Sequence, residues 1–112
     1  MNTEVDANPL ADCLAQKDDS FELKLPESLP GETATFMADL LLSARSNPLA
    51  VDASAVARID TPCLQVLLSA ARLWQEDGAT MTLSAQSEVF TDNLTTLGLT
   101  TAEMEVGDAN HA

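Results

Sequence analysis

A chain of 112 residues is long enough to bury one core without disulfides or metals, and short enough that a single domain is the default. Apolar residues make up 46% of it, but the only aromatics are Phe21, Phe36, Trp74 and Phe90, so Leu, Val, Ala, Ile and Met must build that core. Eighteen acidic residues against five basic ones give a net charge of −13, a field that repels phosphate backbones and anionic lipid headgroups and so excludes nucleic acid as a partner.

Residues 1–20 are polar and acidic, apart from a short apolar stretch from Leu10 to Ala15, and read as a flexible leader or an extra edge element. Phe21-Glu22-Leu23-Lys24-Leu25 alternates apolar and polar residues, which predicts a half-buried strand closed by Pro26. After a turn at Pro30-Gly31, Phe36, Leu40, Leu41 and Ala44 recur at helical spacing. Arg45 then falls in the last turn, where a cation complements the helix dipole, and Asn47-Pro48 stops the helix. Leu49-Ala50-Val51-Asp52 fits an interior strand that opens into a loop from Ser54 to Asp60.

Thr61 then suits a helix N-cap and Pro62 the first helical position, where its missing N–H costs nothing. Leu64, Leu67, Leu68, Ala71 and Trp74 trace one face of this second helix, Val66, Ala70 and Leu73 widen it, and Asp77-Gly78 ends it. Thr80 to Ser84 alternates as another strand. Ser87 suits the cap of a third helix whose Phe90, Leu94 and Leu97 run to Gly98, and Met104-Glu105-Val106 adds a last short edge strand. This order predicts an α/β domain over 21–106, a mixed four- to five-stranded sheet with helices mainly on one face, followed by a tail over 107–112.

Catalytic chemistry finds little footing. There is no CxxC or HExxH pattern and no Gly-rich phosphate loop, and His111 near the C-terminus is the only histidine, so neither a zinc site nor a histidine base is expected. Cys13 lies in a polar stretch and Cys63 in an apolar helical run, contexts too unlike for a disulfide pair. No basic-then-apolar leader and no apolar run of about 18 residues occurs. The expectation is a cytoplasmic, reduced protein without cofactor or metal, not inserted in a membrane, that works by binding another protein.

The stretch from Asp52 to Leu68, DASAVARIDTPCLQVLL, carries an aspartate ending a strand, then Ser54, Val56, Ile59 and the pair Asp60-Thr61 opening a Leu-rich helix at Leu64. It resembles the central signature of the STAS family (sulfate transporter and anti-sigma factor antagonist), and the order of elements agrees from about Phe21 to Val106. The resemblance implies a bacterial regulatory domain like the anti-sigma factor antagonists, which dock a kinase-like anti-sigma factor through the loop and helix that begin at this pair. It places the docking surface on Asp52, Ser54, Asp60, Thr61, Pro62, Cys63 and Leu64, and the phosphoacceptor that switches docking off on Thr61. The chain departs from that pattern at Pro62 and Cys63, where the family usually carries small residues such as Ser-Gly or Gly-Gly. Three related groups remain open: chemotaxis-associated single-domain members, accessory subunits of lipid-transport ATPases that dock without phosphorylation, and small-molecule-binding domains. The same residues have purely structural readings too: Thr61 as a helix cap, Cys63 as a half-buried thiol and Trp74 as a core residue.

Overall fold

The computed structural model describes residues 8–106. Residues 1–7 of the leader, and the 107–112 tail with His111, lie outside the described residues. A short 3-10 turn, Ala11–Cys13, leads into β1 (Leu14–Lys17), which pairs antiparallel with β2 (Ser20–Lys24) around a two-residue turn in which Asp18 takes a positive φ of 52°. Asp tolerates that region because its short polar side chain hydrogen-bonds locally. The sheet thus takes in four residues of the acidic leader as an edge strand.

From β2 the chain runs through α1 (Ala34–Ser43) to β4 (Leu49–Ala53), then through α2 (Thr61–Asp77) to β6 (Met81–Gln86), and on into α3 (Glu88–Thr96). The sheet order is β1-β2-β4-β6, with β2, β4 and β6 parallel. Both crossovers step in the same direction, so right-handed connections put α1 and α2 on the same face. Side-chain alternation agrees with this. Leu23, Leu49, Val51, Ala53 and Met81 are buried beneath the helices, while Lys24, Thr82 and Ser84 are exposed on the other face. A second, two-stranded sheet pairs β3 (Ser28–Leu29) with β5 (Arg58–Ile59) in parallel, inside stretches that read as turn and loop in the sequence. Two residues are too few to show a period.

Trp74 is fully buried, and its indole N–H donates to the Asn47 carbonyl at 2.7 Å, so the largest side chain of the core also has its polar atom satisfied. Met37, Leu67, Phe90, Leu94 and Met104 are fully buried with it. Gly78 stops α2 in the left-handed region at φ 72°, and the Ser87 hydroxyl caps α3 by accepting from Phe90 N–H.

Three local expectations need correction. Arg45 does not lie in the last turn of α1. That helix ends at Ser43, and the guanidinium instead holds the Asp77 carboxylate at 2.8 and 3.2 Å, joining the ends of α1 and α2. The helix start at Thr61 is also one residue earlier than expected: Asp60 occupies the N-cap with extended backbone (φ −83°, ψ 156°), Thr61 is the first helical residue and Pro62 the second. Finally, the last edge strand reduces to a single antiparallel bridge between Met81 and Val106, because Thr101–Met104 forms a 3-10 turn whose Met104 is drawn into the core.

Candidate functional site

Asp52 sits near the C-terminal end of β4, where its carboxylate turns back to accept the Ser54 N–H at 2.9 Å and starts the loop. Hydrogen bonds from Ser54, first its side chain and then its backbone, hold the Asp52 carboxyl below the ordinary carboxylate range. Ser54 itself is exposed at the tip. The rest of the loop is pinned from two sides: the Ser87 hydroxyl donates to the Val56 carbonyl at 2.6 Å, and the Ala57 and Arg58 N–H groups both donate to the Glu27 carbonyl at 2.8 and 3.0 Å. The loop is therefore a fixed surface.

Asp60 is the knot at its far end. One carboxylate oxygen accepts the Gly31 N–H at 2.8 Å and the Arg58 guanidinium at 3.2 Å, while the backbone N–H donates to the Leu29 carbonyl at 3.0 Å. Arg58 first, then the Gly31 N–H, lowers its pKa from the usual value. Although Asp60 occupies the N-cap, its carboxylate reaches across to Gly31 and leaves its own helix uncapped by a side chain.

Thr61 and Pro62 follow, both exposed, and the Thr61 hydroxyl makes no hydrogen bond among the described residues. The next two residues face the other way. Cys63 is fully buried, its sulfur 3.4 Å from both the Pro30 carbonyl and the Thr33 hydroxyl, and Leu64 is 2% exposed within the core. The resemblance implied that both lie on an exposed surface; helical geometry instead turns them inward, with Cys63 against the Pro30–Thr33 segment. Both side chains pack within the core.

The first turn of α2 is a poor cradle for an anion. Pro62 has no N–H, and those of Cys63 and Leu64 both donate to the Asp60 carbonyl at 3.0 and 3.3 Å, which leaves only that of Thr61.

Beginning at Pro62, an apolar groove of about 400 Å³ runs between α1 and α2. Ala34, Ala38 and Leu42 form one wall, Val66, Ala70 and Leu73 the other, and only Gln65 and Ser69 bring polar side chains. Leu42 is 53% exposed, the most exposed large apolar side chain in the described residues. The sequence held a sign of this groove: Val66 and Leu73 widened the apolar face of α2 beyond what one core contact requires, and the third leucine of Leu40-Leu41-Leu42 cannot share an inward stripe with the first two.

The family model described as Mlab, STAS domain, matches residues 14–106, beginning at the first residue of β1 and ending at the bridge residue Val106. The chain belongs to the STAS domain family. No curated protein matches it significantly. Within this STAS domain the Asp60-Thr61 pair ends a loop from Asp52 whose exposed residues include Ser54, Arg58, Thr61 and Pro62, with Ala53, Val56 and Ile59 buried beneath them, and Pro62 lines the apolar groove. STAS domains generally mediate protein–protein interaction. No helix among the described residues is long and apolar enough to cross a membrane.

Proposed function

We propose that this STAS domain is a cytoplasmic regulatory module of the anti-sigma factor antagonist type, which binds a kinase-like anti-sigma factor or a chemotaxis component and catalyses nothing itself. The supporting observation is Thr61: an exposed hydroxyl, free of any hydrogen bond among the described residues, where the rigid Asp52–Asp60 loop meets the open groove. Asp52, Ser54, Asp60, Thr61 and Pro62 form the ridge of the docking surface, and Thr61 is its control point. Phosphorylation there adds roughly two negative charges beside Asp60. With a single N–H left in the first turn, the phosphate gains little from the helix, so it acts by repelling the partner.

The same scarcity of donors favours a second reading, in which docking is constitutive, as in the accessory subunits of lipid-transport ATPases. Incubation of the purified domain with native cell extract and ATP, followed by mass spectrometry and affinity capture, separates the two. On the switch reading Thr61 acquires phosphate, and Thr61→Glu reduces the captured partner about tenfold while Thr61→Val retains it. Unmodified Thr61 with an ATPase subunit captured establishes the constitutive role. Equal capture by Thr61→Glu and the parent rejects docking at this ridge.

A further inference from the structure

We infer that, if the docking reading holds, the partner element seated in the α1–α2 groove is an amphipathic helix whose apolar stripe is flanked by Lys or Arg. Two independent observations lead there. The walls offer almost no hydrogen-bonding groups, Gln65 and Ser69 being the exceptions, so an extended segment laid in the groove would leave its backbone N–H and C=O groups unmatched. A helix satisfies its own backbone and presents only side chains. The small residues Ala34, Ala38 and Ala70 let it approach closely, and the half-exposed Leu42 meets its apolar stripe.

Charge sets the flanks. Asp39 is exposed beside Ala38 on α1, and Glu76 is exposed three residues beyond Leu73 on α2. Of the cations on these two segments, Arg45 is engaged by Asp77, and Arg72 is the one that opposes the acidic rim. Added to a net charge of −13, this rim favours a cationic visitor and disfavours both a second copy of the chain and an anionic bilayer.

Fluorescence anisotropy with designed helical peptides tests this on the intact chain. The probes are a Leu-striped peptide with Lys flanks, the same stripe with Glu flanks, and a scrambled Lys peptide of equal composition. The Lys-flanked probe binds at least about tenfold more tightly than either control and weakens about tenfold between about 50 and about 300 mM salt. Leu42→Ser, at an exposed position that leaves the fold intact, weakens it about tenfold. The double charge reversal Asp39→Lys, Glu76→Lys inverts the preference between Lys and Glu flanks. Equal binding of the scrambled peptide, or indifference to Leu42→Ser with circular dichroism unchanged, overturns the inference. Capture of the native partner that responds to Thr61→Glu but not to Leu42→Ser removes the groove helix and leaves the docking ridge standing.

Discussion

The carboxylate of Asp60 joins Gly31, Arg58 and, through its own backbone, Leu29 and the first turn of α2, so one side chain sets the position of Thr61 relative to the rest of the ridge. Its depressed pKa makes this tie sensitive to acid. A group held below its unfolded value, about 3.9 for Asp, adds stability that is complete above that value and is lost as pH falls through the lower folded one. Asp52, Asp77 and Glu103 are lowered in the same direction and add to the same loss. We predict that the melting temperature falls as pH is taken from about 6 to below about 4, and that Asp60→Asn, less stable than the parent at neutral pH, loses less over that range. Parallel pH profiles for the two proteins would exclude this role. At this scale the sequence identified Asp60 and Thr61 but not their division of labour. Both residue types suit an N-cap, and which one occupies it depends on backbone angles that the β3–β5 pairing imposes.

Among the elements, α3 shows how one cap serves two purposes. Ser87 accepts from Phe90 N–H at 3.1 Å and donates to the Val56 carbonyl at 2.6 Å, so the start of α3 also fixes the loop that carries Ser54. Ser87→Ala should cost about 1–2 kcal/mol in urea unfolding and speed amide exchange of Val56 and Ala57, with partial recovery in Ser87→Thr. Unchanged exchange in that loop would show that the cap acts on α3 alone. The cap of α3 and the Gly78 stop of α2 were legible because they are local chemistry: a hydroxyl three residues before the N–H that donates to it, and a glycine where φ is positive. The end of α1 was not. Arg45 leaves its helix for Asp77, 32 residues along the chain, and no local pattern announces such a partner.

For the molecule as a whole, the excess of acid is the dominant long-range term. Self-repulsion at −13 destabilises the compact state and is screened by salt, so about 0.5 M NaCl should raise the melting temperature by a few degrees, measured by calorimetry; a fall would mean that specific ion pairs outweigh the repulsion. The order of the main elements, β2, α1, β4, α2, β6 and α3, and the family signature followed from the chain itself, since they rest on periodicity and on short-range turn chemistry, whereas the two-residue strands β3 and β5 did not. What required the tertiary structure was the orientation of the signature's residues. Cys63 and Leu64 stand beside Thr61 and Pro62 in the chain yet point into the core, because a helix turns by about 100° per residue and only packing decides which side is inside. The groove between α1 and α2 likewise exists only once two helices, separated in sequence by β4 and β5, are laid side by side on one face of the sheet.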